Sequence, residues 1–188
     1  MRENYTHMTI ILDRSGSMES IRDDTIGGFN TFLGQQQQES GSATLTLVQF
    51  DTENPYEVIQ HFTPLVFVPK LTWESFVPRG STPLFDALGR AINDLEESLG
   101  RLKDEEKPSK VLLVVVTDGQ ENSSREFRRS QIESLVKTKT EQQHWQFVFL
   151  SADLQAMTEA KDIGFKDTAM RAFEKSSLGV HAAWGVCQ

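Results

Sequence analysis

The feature that most limits how this chain can fold is the run Val111-Leu112-Leu113-Val114-Val115-Val116, six consecutive apolar residues of which four are β-branched. A strand with one wet face alternates apolar and polar residues. A run without alternation has to be covered on both faces, as in the centre of a parallel sheet flanked by helices. A second run of this kind, Met8 to Leu12, is interrupted only by Thr9. Both runs stop at an acid: Asp13 follows the first, and Thr117-Asp118-Gly119 follows the second. An acid marks the place where the covering of such a strand ends.

The segments between and around these runs alternate in type. Ile21, Ile26, Phe29, Phe32 and Leu33 recur at helical spacing, with Gly34 as the expected stop. Residues 43–50 predict a strand closed by Asp51 and the Asn54-Pro55 turn, and residues 56–62 follow too closely to return in parallel. They therefore predict an antiparallel edge strand. Residues 64–80, with Pro64, Pro69 and Pro78, predict a loop with room for a short helical turn. Leu84, Leu88, Ile92, Leu95 and Leu99 define one face of a helix that ends at Gly100, and the mixed charges of residues 101–107 predict a solvated linker. Further on, the pattern predicts helices over residues 125–142 and 153–163, strands over 145–150 and 168–173, and a last helix from about Ser176. The fold class that follows is α/β: one doubly wound, Rossmann-like domain over residues 1–188, with a mostly parallel sheet, one antiparallel edge strand and helices on both faces.

Bulk properties narrow the function. The length of 188 residues suits one domain with a continuous core that needs no staples, and 38% hydrophobic with 24% charged residues is ordinary for a globular chain. A formal charge of -8 and a pI near 5.0 argue against nonspecific binding to nucleic acid or anionic lipid, because an acidic surface repels phosphate. Cations and cationic partners suit it better. Cys187 is the single cysteine, which excludes an intrachain disulfide and a cysteine metal cluster and fits a reducing compartment. The start, Met1-Arg2-Glu3-Asn4, is not an apolar leader, and no stretch approaches the ~18 apolar residues of a membrane span, so a cytoplasmic location is expected. His7, His61, His144 and His181 lack ligand spacing and are read as structural.

Three short segments carry chemistry. Asp13, Ser15 and Ser17 alternate along an extended stretch, so their oxygens can point to one side, and Gly16 permits a tight bend between the serines. Hard, oxygen-only, partly anionic donors suit a small divalent cation such as Mg²⁺, although aspartate and serine also cap helices and stabilise turns. Gly80-Ser81-Thr82-Pro83 leads into the helix from Leu84, where Thr82 has the position of a helix cap, worth ~1 kcal/mol. Ligands of open α/β sheets bind beyond the carboxyl ends of the strands where strand order reverses. If the first strand and residues 111–116 are neighbours there, Asp13 and Asp118 emerge side by side.

Asp13-Arg14-Ser15-Gly16-Ser17, Gly80-Ser81-Thr82-Pro83-Leu84 and Thr117-Asp118-Gly119, in this order and on these elements, resemble the von Willebrand factor type A domain and its metal-ion-dependent adhesion site. The resemblance covers nearly the whole chain, and its style is that of the compact stand-alone domains of bacteria and phages. It implies a ligand set of Asp13, Ser15, Ser17, Thr82 and Asp118, with Mg²⁺ as the ion and Mn²⁺ or Ca²⁺ as substitutes. It also implies a first strand beside the fourth, no enzymatic activity, and a protein partner whose Asp or Glu fills an open coordination position. The rival from another class is a Mg²⁺-dependent phosphoryl-transfer enzyme of the haloacid dehalogenase type with Asp13 as nucleophile. That chemistry needs an acid two residues on, where this chain has Ser15. A structural subunit that uses metal only for stability is the third reading, and the absence of G-x-G-x-x-G and of a P-loop lysine disfavours nucleotide binding. Glu121, Asn122, Arg125, Arg128 and Arg129 are read as a capped, solvated helix start, and Trp73 and Phe76 as loop packing.

Overall fold

The computed structural model describes residues 1–173. Its centre is a six-stranded sheet of β1 (Arg2–Asp13), β2 (Ser42–Phe50), β3 (Glu57–Pro64), β4 (Pro108–Thr117), β5 (Gln146–Ser151) and β6 (Met170–Ala172), in the order β3-β2-β1-β4-β5-β6. All pairings are parallel except β2 with β3, which makes β3 the antiparallel edge. The chain winds outward from β1 in one direction and, from β4, in the other. The reversal of strand order therefore falls between β1 and β4, where Ile10 is paired with Val114 and Leu12 with Val116.

The two apolar runs are covered on both sides, as their composition requires. Met8, Ile10, Leu12, Leu112, Val114 and Val116 face α1 (Arg22–Gln36), which contributes Phe29, Phe32 and Leu33. On the other side Ile11, Leu113 and Val115 meet Leu84, Leu88 and Ile92 of α2 (Leu84–Gly100). The same face is shared by Ile132 and Val136 of α3 (Arg129–Gln143) and by Ala156 and Ala160 of α4 (Leu154–Asp162). Helices thus lie on both faces, one against three among the described residues. No helix among them is long and apolar enough to cross a membrane.

Several boundaries differ from the expected ones. Gly34 does not stop α1, which runs on to Gln36. A Cβ at Gly34 would meet nothing within 4 Å, so the residue serves no close approach, and the buried Phe32 and Leu33 hold the helix down past it. β1 starts at Arg2, well before its apolar run, because β2 pairs with it back to Tyr5 and β4 meets it again at Arg2, opposite Pro108. A 3₁₀ turn (Gly16–Ile21) that the pattern did not show joins β1 to α1, and another (Leu65–Phe67) occupies the proline-rich loop. α3 begins at Arg129 instead of Arg125, because the amides of residues 125–127 are engaged elsewhere. β6 is shorter than expected, and the helix expected from about Ser176 lies outside the described residues.

β1 also carries a buried histidine. His7 Nδ1 bonds the Thr44 hydroxyl at 2.8 Å, Nε2 bonds the Thr9 hydroxyl at 3.2 Å, and the Phe62 ring stacks on it with centroids 3.7 Å apart. Phe62 reaches this position from a bulge in β3, with φ of 47° and its N–H turned to the Thr46 hydroxyl. Hydroxyl partners satisfy the neutral imidazole in either tautomer. Burial, with a smaller push from His61, lowers the His7 pKa to about 3.

Below the ordinary histidine pKa of about 6.5 the unfolded chain binds a proton that the folded one refuses, so stability falls as pH drops from about 6.5 towards 3, with a limiting slope of ~1.4 kcal/mol per pH unit. Asp13, whose folded carboxyl holds its proton up to about 6, works in the opposite sense over part of this range. The His7 contribution is therefore read as the difference between wild type and His7→Gln in urea titrations, which is expected to carry that slope.

Candidate metal centre

At the carboxyl edge of β1 and β4 the chain gathers its acids and hydroxyls. Asp13 is the last residue of β1, and Asp118 follows the last residue of β4. The Asp13 carboxylate is held from two sides: Oδ1 accepts the Ser15 N–H at 2.6 Å and Oδ2 accepts the Thr117 hydroxyl at 2.6 Å. The Ser17 hydroxyl donates to Asp118 Oδ1 at 2.6 Å and stands 3.2 Å from the Ser15 hydroxyl. A 3₁₀ turn fixes this serine pair, with Met18 N–H donating to Ser15 O at 3.0 Å and the Met18 side chain buried beneath. Asp13, Ser15 and Asp118 are buried, whereas Ser17 is open to solvent.

Thr82 arrives on the same edge between two braces. On one side Gly16 N–H donates to Gly80 O at 3.0 Å. On the other, Thr82 N–H donates to Asn122 Oδ1 at 2.9 Å and Thr82 O accepts Asn122 N–H at 3.1 Å. Thr82 is not the cap of α2. Pro83 holds that position, and the amides of the first turn go to side chains from the loop after Asp118: Phe85 N–H to Glu121 Oε2 at 2.8 Å and Asp86 N–H to Ser124 Oγ at 3.0 Å. A carboxylate at a helix N-terminus also meets the positive end of the helix dipole.

Asp86 returns the support. Its carboxylate, buried at the start of α2, accepts the N–H groups of Arg125, Glu126 and Phe127 at 2.8 to 2.9 Å. Those amides are the ones a helix from residue 125 would have needed, which is why α3 starts four residues later. Glu121 and Asn122 are therefore structural pins of the site's rim and not part of a solvated helix start. Of the other rim residues, Arg125 and Arg128 are exposed and Arg129 pairs with Glu159 and Asp162. Phe76 is fully buried, and Trp73 lies under the Arg22 guanidinium at 3.9 Å while its N–H bonds Asp23.

The electrostatics leave the centre short of positive charge. Burial pushes the Asp13 carboxyl up to about 6, the hydrogen bonds from Thr117 and Ser15 pull it back, and the neighbouring Asp118 adds to the rise. The adjacent guanidinium of Arg14 turns away and gives its Nε to Asp51. Two carboxylates with hydroxyls and neutral donors fit a hard divalent cation, because such a cation relieves the carboxylate burial and accepts oxygen ligands. Among the described residues no group of three or more His, Cys, Asp or Glu side chains could hold a metal, so a metal at this edge depends on hydroxyls and water as well as acids. Nothing in the sequence distinguished Asp51, Asp86 or Asn122 from ordinary loop and helix residues. Their roles arise from contacts across 28 to 41 positions.

No family model matches the sequence, and no curated protein matches it as a relative. Solved structures do match. Proximal thread matrix protein 1 from the mussel byssus superposes with a TM-score of 0.65 at 14% identity, covering 97% of this chain and 44% of that one. The structure of the same mussel protein with a zinc-occupied metal-ion-dependent adhesion site motif gives a TM-score of 0.65 at 13% identity, with the same coverage. A von Willebrand factor type A protein from Catenulispora acidiphila gives 0.61 at 12% identity, covering 96% of this chain and 41% of that one. The chain has the von Willebrand factor type A fold and spans less than half the length of these proteins.

Removing the Asp86 acceptor leaves three amides without their carboxylate partner. Asp86→Ala is expected to cost on the order of 3 kcal/mol and to speed amide exchange at residues 125–127 before the rest of α3, with a smaller loss for Asp86→Asn, which keeps one acceptor. Urea unfolding and hydrogen exchange followed by NMR check both.

Proposed function

We propose that residues 1–188 form one domain that binds a partner protein through a divalent ion held by Asp13, Ser15, Ser17, Thr82 and Asp118. The ion of choice is Mg²⁺, with Mn²⁺ or Ca²⁺ able to take its place, and the partner presents an Asp or Glu. The observation that carries this reading is the convergence of Ser15, Ser17 and Asp118 in one hydrogen-bonded cluster beside Asp13, from loops about a hundred residues apart. The zinc-occupied motif of the mussel protein, which shares the fold, supports it.

Bound there, a divalent ion supplies a positive centre that accepts a carboxylate oxygen from outside. Asp13 and Asp118 balance its charge, and the three hydroxyls leave its coordination incomplete with neutral donors. The exposure of Ser17 supports an approach from the solvent side. Such a centre lets a chain of formal charge -8 hold an acidic residue that its surface otherwise repels. The domain acts without catalysis in this reading. Both oxygens of the buried Asp13 are engaged by hydrogen bonds, which is a poor arrangement for a nucleophile. A cytoplasmic location belongs to the same reading.

Calorimetric titration with Mg²⁺ and Mn²⁺ tests the site. The wild type is expected to show saturable uptake, and Asp13→Ala and Asp118→Ala are expected to weaken it by more than about 100-fold with an unchanged far-UV spectrum. A partner retained from native extract in Mg²⁺ should be lost in chelator and lost on immobilised Asp13→Ala. Uptake that survives both substitutions, or partner retention indifferent to chelator, overturns the reading.

A further inference from the structure

Three loops meet at the carboxylate of Asp51, the residue after β2, which is fully buried. Its Oδ2 accepts Arg14 Nε–H at 2.7 Å and Arg79 Nε–H at 2.9 Å, while Oδ1 accepts the amides of Glu53 at 2.7 Å and Asn54 at 2.9 Å. Arg14 stands between Asp13 and Ser15, and Arg79 stands three residues before Thr82. The two backbones are laced together at the same place: Arg79 N–H donates to Arg14 O at 2.8 Å, and Gly16 N–H donates to Gly80 O at 3.0 Å. Thr52 closes the third side. Its hydroxyl accepts Ser81 N–H at 3.0 Å and would lie 2.5 Å from a Cβ at Gly80, whose φ is +64°.

Stability alone accounts poorly for this cluster. A buried ion pair repays its desolvation only when every donor is matched, and here Arg14 Nη2 is buried without a partner although Nη1 reaches Gln49 and Glu57. What the cluster does achieve is a fixed distance between the Asp13–Ser17 stretch and the residues leading into Thr82. We propose that Asp51, through Arg14 and Arg79, is a positioning unit of the metal centre that sets where the Thr82 hydroxyl stands relative to Ser15 and Ser17. This inference rests on the metal reading given above. With the unit broken, the Thr82 oxygen drops out of the coordination shell and water takes its place.

The test compares wild type, Arg79→Ala, Thr82→Ala and the double variant. Arg79 is 41% exposed at its side chain, so its truncation is compatible with folding, and Arg79→Gln serves if circular dichroism shows Arg79→Ala unfolded. Mn²⁺ affinity is read from the free-ion EPR signal, and bound water is counted from Tb³⁺ luminescence lifetimes in H₂O and D₂O. Each single variant is expected to weaken Mn²⁺ binding about 10-fold and to add one bound water, and the double variant is expected to be no worse than Thr82→Ala. Effects that multiply in the double variant, or a lowered melting temperature with unchanged affinity and water count, overturn the inference and leave the metal reading standing. A wild type that takes up no Mn²⁺ overturns the metal reading and this inference with it.

Discussion

Two carboxylates leave the sheet side by side because β1 and β4 are parallel neighbours at the reversal of strand order. That adjacency is the constraint on which the rest of the edge depends. Each acid alone could be solvated by turning outward. Burial, with a smaller push from the neighbouring Asp118, raises the cost of ionising Asp13. The surrounding loops answer by supplying hydroxyls and amides: Thr117 and Ser15 to Asp13, Ser17 to Asp118. An electrostatically underfilled, oxygen-lined edge results directly from how the sheet is wound.

The loops that complete the edge are braced against each other and not merely draped over the sheet. Thr82 sits between Asn122 on one side and the Gly80–Gly16 contact on the other, and each contact involves backbone groups whose loss would leave a polar atom unpaired. The exchange between Glu121, which serves the first turn of α2, and Asp86, which serves residues 125–127, makes the loop after Asp118 and the start of α2 one unit. Asp51 does the same for the loops after β1 and before α2. A site built from short side chains depends on such bracing, because its geometry shifts with the loops that carry them.

Much of this was legible in the amino-acid sequence, and the reason is physical. Unalternated runs such as Val111 to Val116 admit few environments, so the central strands, the parallel sheet and the edge strand after Asn54-Pro55 could be read directly. The close spacing of Asp13, Ser15 and Ser17 is local, and so it too could be read. What could not be read depended on distant partners. Gly34 reads as a helix stop by residue type alone, yet α1 runs on to Gln36, and Thr82 reads as a cap because nothing local points to Glu121 as the partner of the first-turn amides. Asp51 and Asp86 are unremarkable in sequence. Only the fold turns them into acceptors for other loops.

The pairing of β1 has one more consequence. It is matched with β2 without interruption from Tyr5 to Asp13 and with β4 from Thr6 to Leu12, all in parallel. Tension applied to the edge through a ligand on Asp13 and Asp118 would run along the axes of these two strands. Because both strands would be pulled the same way, the load would pass in shear to the bonds with β2 on one side and β5 on the other, many of which must fail together. A pull at this edge would therefore be met by the two central strands of the sheet.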